Sequence, residues 1–241
     1  MPPPVPRTEN LPFAFRGEAV EPARVVTAAA ARQLELARNP TGKANTEALR
    51  EFVGVDAQGR ERRRRAVDFP AHFSVAEAAL YAAPFAVLSR AGLPPTSAHR
   101  DDTLRNALAR LERFLAAPAD GSAPFAWIDG DVVPDDSLVV WARDDDFSAG
   151  VLASATFTAW LEESGDVLAA LHSFPWPWPP STPLSALSRA QEEVRFDLAR
   201  AARAEDPAAI DAAVARAYGW TDDLAEAEII ARLRARPDSR R

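Results

Sequence analysis

Four of the seven residues in the string Phe174-Pro-Trp-Pro-Trp-Pro-Pro180 are proline. Proline fixes φ and has no backbone N–H, so this string can enter neither a helix interior nor a central strand. It must run extended, and it parts two stretches of different character. The residues on its C-terminal side read as helix throughout. Leu184, Leu187, Gln191, Val194 and Leu198 recur at three- and four-residue steps. Ile210, Val214, Ala217 and Tyr218 form a second stripe, and Leu224, Ala227, Ile230 and Leu233 a third. Pro207 suits a first helical turn and Gly219 a helix end. Three helices with such short loops are expected to pack antiparallel. So small a unit is expected to lean on the rest of the molecule.

The part before the proline string mixes strand and helix signals. Residues 11–17 and 24–27 read as short strands, and Thr27 as the cap of an alanine-rich helix that stops near Asn39-Pro40. Residues 39–45 read as a loop, 46–53 as one or two helical turns, and 62–69 as a strand. Ser74-Val-Ala-Glu77 has the spacing of a capping box, with Pro84 breaking or kinking the helix it opens. Leu104, Leu108, Leu111 and Leu115 form a helical stripe behind Asp101-Asp102. Residues 124–128 and 137–142 are strand candidates joined through a turn near Gly130, and a helical run comes after Asp144-Asp-Asp146.

The 241 residues carry a net charge of -7, unevenly distributed. Residues 1–100 hold fourteen basic and ten acidic side chains; residues 101–170 hold four and fourteen. A basic front and an acidic middle therefore cancel in the total, and only local fields act over a Debye length of about 8 Å. All but one of the basic residues are arginine, Lys43 being the exception. Cysteine is absent, which excludes disulfides, thiolate metal sites and a cysteine nucleophile. His72, His99 and His172 are far apart in sequence, with no pair at ligand spacing. Gly42-Lys43 lacks the Ser or Thr and the earlier glycine of a phosphate loop, and neither G-x-G-x-x-G nor G-x-S-x-G occurs. No apolar run approaches the roughly 20 residues of a membrane span, so a cytoplasmic protein with no membrane partner is expected.

Two features bear on binding. Arg60-Glu-Arg-Arg-Arg-Arg65 could track a phosphate backbone, or blunt a solvated strand edge. In a strand its arginines alternate between faces, so two or three at most could engage one ligand. Trp176 and Trp178 could stack on bases, but the area that tryptophan buries favours an apolar clamp.

Several segments in a fixed order resemble a known family. They are Asn39-Pro-Thr-Gly-Lys-Ala-Asn45, Val67-Asp-Phe69, Ala78-Ala-Leu-Tyr-Ala-Ala-Pro-Phe85, Pro134-Asp135, Ala142-Arg-Asp-Asp-Asp-Phe147, Gly150-Val-Leu-Ala-Ser154, Trp160, the proline-tryptophan string and Tyr218-Gly-Trp220. The order is similar to the C-terminal half of the MmeI-like adenine-specific DNA methyltransferases, in which the catalytic domain is succeeded by a target-recognition domain and a helical tail. The family's N-P-P-Y/F tetrapeptide and glycine-rich cofactor loop do not occur in this chain. Ala155-Thr-Phe157 stands where the family carries a histidine after Ser154, the arginine- and tryptophan-rich stretch after Phe85 is short, and the approach to Phe174 lacks the family's R-Y-T-like residues.

The resemblance implies an α+β chain. A proline-rich, disordered arm spans 1–10, a mixed α/β target-recognition domain 11–173, a proline-tryptophan linker 174–182 and a three-helix unit 183–241. It implies a non-catalytic module of restriction-modification or phage-defence type, acting on double-stranded DNA. The module is either a separate specificity subunit or a truncated product. S-adenosylmethionine would be bound by a missing or separate catalytic domain, such as one on a separate methyltransferase subunit, and no catalytic, cofactor or metal residue is expected in this chain. The DNA-binding candidates are Lys43, Asn45, Arg60, Arg62, Arg63, Arg64 and Arg65. The alternative is an interaction module that docks a methyltransferase subunit without reading DNA.

Overall fold

A computed structural model describes residues 5–39, 41–221 and 224–237 of the chain. Its strands and helices interleave as the composition suggests: β1 (Ala14–Arg16), β2 (Val25–Val26), α1 (Ala28–Leu36), β3 (Leu49–Val55), β4 (Glu61–Val67), α2 (Val75–Ala79), α3 (Ala82–Arg90) and α4 (Asp102–Leu108). Next come β5 (Arg113–Pro118), β6 (Ala126–Asp129), β7 (Val133–Pro134), β8 (Leu138–Trp141), α5 (Asp146–Leu152), α6 (Ala155–Ser164) and α7 (Val167–Ser173). The last three helices are α8 (Arg189–Arg203), α9 (Pro207–Tyr218) and α10 (Glu226–Ala235). The fold is α+β, with two four-stranded sheets among the described residues.

Two compact units divide the chain across its length. Arg16–Arg110 and Asp129–Leu138 form one, here the hairpin unit; the segment ending at Phe15, Leu111–Ile128 and everything from Val139 onward form the other, the helical unit. The hairpin unit is built on a sheet ordered β2-β4-β3-β7. β3 and β4 pair antiparallel in register from Leu49 opposite Val67 to Val55 opposite Glu61. Asp56 N–H donates to the Arg60 carbonyl at 2.9 Å to close the turn, and Gly59 takes the positive φ it needs. β7 joins β3 in parallel, with Phe52 opposite Val133. Leu34, Leu49, Val67, Phe69, Tyr81 and Leu88 make the core beneath.

In the helical unit the sheet runs β1-β8-β5-β6. Trp141, Phe157, Phe174, Leu198, Val214 and Leu233 belong to one continuous core. The proline-tryptophan string is part of that core. Trp176 stacks on Trp141 with ring centroids 4.6 Å apart, and Trp178 on Phe147 at 4.7 Å, so both rings act as an apolar clamp within this unit. α8 packs on α5, where Gly150 faces Leu198 so closely that a Cβ would come within 2.6 Å of its side chain. α10 packs on α6. The tail therefore leans on α5 and α6.

Side-chain caps fall where the sequence places them. Thr27 accepts from Ala30 N–H, Ser74 and Glu77 close their capping box, and Asp101 and Asp145 cap α4 and α5. Pro207 opens α9, and Gly219 ends it in the left-handed region. Other expectations are corrected. Residues 49–53 are strand rather than helix, because Leu49 to Val55 satisfy their backbone groups against β4. Leu115 lies in β5, not on the α4 stripe, and Leu184 and Leu187 precede α8. β6 and β8 are not neighbours: β5 lies between them, and β7 intervenes in sequence to join the other sheet. Residues 1–4 of the expected arm lie outside the described residues. Asn10, at its other end, is buried and donates through Nδ2 to the carbonyls of Leu171, His172 and Phe174.

Candidate nucleic-acid interface

All seven expected DNA contacts lie in the hairpin unit. β4 carries four of them, and its pleat sends alternate residues to opposite faces. Arg62 and Arg64 share one partner: their Nη2 groups reach Asp135 Oδ2 at 3.1 and 2.6 Å. On the other face Arg63 meets Glu51 at 2.9 Å and Glu61 at 2.7 Å, and Arg65 meets Glu35 at 2.6 Å. Arg60, just before the strand, pairs with Asp56 at 2.9 Å. Every arginine in the run thus already has a carboxylate partner, Arg62 and Arg64 sharing one.

These pairs differ in how readily a phosphate could replace the carboxylate. Asp135 is 0% exposed, and its Oδ1 accepts from the N–H of Ser137 at 3.0 Å and from the Ser137 hydroxyl. Its carboxylate lies over Gly54, where a Cβ would meet Oδ1 at 2.1 Å. Withdrawing Arg62 or Arg64 would leave a buried charge poorly compensated, which is costly. Arg60 is 74% exposed and Arg63 43%, each beside an accessible carboxylate. Such pairs contribute little to stability, so these two arginines are free to exchange partners. Hydrogen bonds to Glu61 and Glu51 hold the Arg63 guanidinium above its ordinary pKa, so it stays charged.

Lys43 and Asn45 part company. Lys43 is exposed, with its ammonium 5.6 Å from the centre of the Tyr81 ring and 5.9 Å from that of Phe73. Asn45 is buried. Its Nδ2 donates to the carbonyls of Leu34 and Ala37 at 2.8 and 2.9 Å, and its Oδ1 accepts from Asn39. It satisfies the last carbonyls of α1 from the loop beyond that helix, and no hydrogen-bonding capacity of its NH2 remains for a ligand. Tyr81, also buried, donates to Glu47, and burial with that bond pushes its hydroxyl pKa up to about 12.

Sequence reasoning missed the arginines that are not in a run. Among the described residues Arg32, Arg38, Arg50, Arg90 and Arg110 of this unit have no carboxylate within ion-pair distance, whereas Arg24 is buried and donates to the carbonyls of Pro94, Pro95 and Thr96. Isolated arginines give no pattern, so nothing in the sequence separates a free cation from a buried strut. Among the described residues no group of three His, Cys, Asp or Glu is placed to hold a metal, and no helix is long and apolar enough to cross a membrane.

No known protein family matches the chain, and no curated protein matches it. A solved structure does: the fold is similar to that of part of a restriction-modification enzyme solved with DNA. That enzyme is the Type IIL protein MmeI, to which the chain aligns with a TM-score of 0.57 at 16% identity. The alignment covers 96% of this chain and 36% of MmeI. At that identity the likeness is one of fold.

Proposed function

We propose that the chain is a non-catalytic DNA target-recognition module that serves an adenine-N6 methyltransferase of restriction-modification type. The observation that carries this reading is the fold likeness over 96% of the chain, confined to 36% of an enzyme solved with DNA. The missing cofactor loop and N-P-P-Y/F tetrapeptide agree with a module whose chemistry is supplied by another domain or subunit. An enzyme that acts on a flipped base needs a separate surface to hold the duplex, and phosphate contacts fix the register of such a surface. Arg60, Arg63 and Lys43 are the exposed members of the candidate set fit for that task.

Fluorescence anisotropy of a labelled duplex across a salt series tests it. Binding should weaken with salt, and Arg60→Ala with Arg63→Ala should lower the logarithmic salt slope by about two, at about 0.9 per lost phosphate contact. A wild-type chain with no measurable affinity at low salt refutes the reading. So does tight S-adenosylmethionine binding in calorimetry, which would make the chain an enzyme.

The alternative of a protein-docking module draws on a different observation. The whole -7 charge resides in the helical unit, where Leu184 and Phe196 are large exposed apolar side chains. Co-purification with a methyltransferase subunit, unchanged by the arginine substitutions, would favour it over DNA reading.

A further inference from the structure

The hairpin unit contains a cavity of about 170 Å³ whose lining includes none of the β4 arginines. That space equals about five or six water volumes, enough for one small polar group. Arg50 of β3, Arg100, and Arg105 of α4 line it, with Leu104, Leu108 and residues 130–134. The arrangement stems from strand periodicity: Arg50 shares a face of β3 with Phe52, and the Arg105 guanidinium sits 6.0 Å from the centre of the Phe52 ring.

The three guanidiniums differ. Arg105 forks onto Glu18, with Nε to Oε1 and Nη2 to Oε2 both at 2.6 Å, and turns Nη1 to Asp68 at 2.8 Å. Arg100 pairs with Asp102 and donates to the Phe69 carbonyl at 3.2 Å, with Asp68 3.6 Å away. Arg50 has no carboxylate within ion-pair distance among the described residues. Its Nη1 donates to the Leu49 carbonyl at 3.1 Å, while Nε and Nη2 have no partner there and remain open to solvent. Burial disfavours its charged form and the nearby charges of Arg105 and Arg100 add to that, offset in part by Asp68 and Glu47.

We propose that this cavity binds one oxyanion of the phosphate class, with Arg50 as its principal ligand and Arg100 as the second cation. A guanidinium with two free donors offers the planar fork that such oxygens fit. The apolar wall of Leu104, Leu108 and Ala109 lowers the local dielectric and strengthens the contact. Exposed Asp131 also lines the site, so a singly charged phosphodiester or phosphate monoanion meets less repulsion than a dianionic monoester. Only the source of the anion rests on the DNA reading.

The test uses the whole chain, isotopically labelled, titrated with inorganic phosphate and with chloride at matched ionic strength. Amide resonances of residues 130–133 and the arginine Nε–H signals should shift saturably with phosphate alone. Arg50→Ala should weaken that response at least tenfold, whereas Arg90→Ala, which removes an exposed unpaired arginine elsewhere in the unit, should leave it intact. Arg50→Lys retains the charge and should fall between, which separates loss of the fork from loss of fold. A parallel duplex titration assigns the source. A salt slope lowered by about one in Arg50→Ala marks a phosphodiester site, and an unchanged slope marks a site for free phosphate. A wild-type chain that takes phosphate and ignores duplex keeps the site and sinks the DNA reading. Phosphate shifts no different from chloride, together with duplex binding indifferent to Arg50, overturn the proposal.

Discussion

Replacing Arg62 and Arg64 together with alanine strips Asp135 of both its cations. The carboxylate is 0% exposed, and the Ser137 contacts satisfy only Oδ1, so Oδ2 is left without a partner among the described residues. Removing one side of a buried ion pair costs about 3–5 kcal/mol. Here the two arginines are themselves 41% and 23% exposed, so solvent already screens part of their attraction. That places the expected loss at the lower end, about 3 kcal/mol. Arg60→Ala with Arg63→Ala removes pairs that solvent screens far more, and should cost no more than about 1 kcal/mol. The two double variants take equal charge from the same run, so their difference isolates the buried carboxylate.

The assay must look at the right unit. All six tryptophans lie in the helical unit, so tryptophan fluorescence does not track the hairpin. Far-UV circular dichroism in urea, with hydrogen exchange of the β3 and β4 amides, does. Two compact units need not unfold as one, and the hairpin transition is fitted separately. With m of about 1–3 kcal/mol/M, a loss of about 3 kcal/mol moves its midpoint down by about 1–3 M urea. If the Arg62/Arg64 variant and the Arg60/Arg63 variant unfold at the same urea concentration, the coupling to Asp135 is absent. The whole β4 run is then available to a ligand.

Gly54→Ala should destabilise the hairpin unit comparably, since its Cβ would stand 2.1 Å from Oδ1 of the Asp135 carboxylate, which Ser137 holds through Oδ1 and Arg62 and Arg64 through Oδ2; unchanged β3 exchange rates would contradict this. Asn45→Ala takes the side-chain donor from the part-buried Ala37 carbonyl and leaves the buried Leu34 carbonyl with the Ala37 N–H alone, at a cost of about 1–3 kcal/mol. It should quicken exchange at the end of α1 and leave the salt slope of duplex binding alone. Tyr81 keeps its proton up to about 12 when folded, against about 10 when unfolded. Its contribution is therefore complete below pH 10 and falls by about 1.4 kcal/mol per pH unit between 10 and 12. Tyr81→Phe should flatten the stability profile of the hairpin unit in that window; a profile of unchanged slope would show that the phenol is not held there.

Features governed by neighbouring residues were legible in the sequence. Caps such as Ser74 with Glu77 need only a three-residue spacing, and the left-handed end at Gly219 only a residue without a Cβ. The proline-tryptophan string announced its extended course for the same reason. Its stacking on Trp141 and Phe147 depends on residues about thirty or more positions away, and no spacing rule reports that. Residues 46–53 read in sequence as one or two helical turns; over Leu49–Val53 the ladder to β4 overrode that local reading. The candidate site suffered the same limit. A string of arginines is visible at once, but the carboxylate that anchors two of them lies more than seventy positions on.

Charge makes the point quantitative. Residues 16–110 hold fifteen basic and eleven acidic side chains, a surplus that invites a polyanion. The fold then brings 129–138 into the same unit, and with it Asp129, Asp131, Asp135 and Asp136, which cancel that surplus completely. The whole -7 is left to the helical unit. A neutral unit exerts no long-range pull on DNA, so steering by net charge is not available to it. Any duplex binding must come from a few local contacts made by cations that no carboxylate claims or that exchange partners cheaply. Two or three phosphates engaged in that way predict a salt slope of about -2 to -3, far shallower than a run of arginines taken at face value implies.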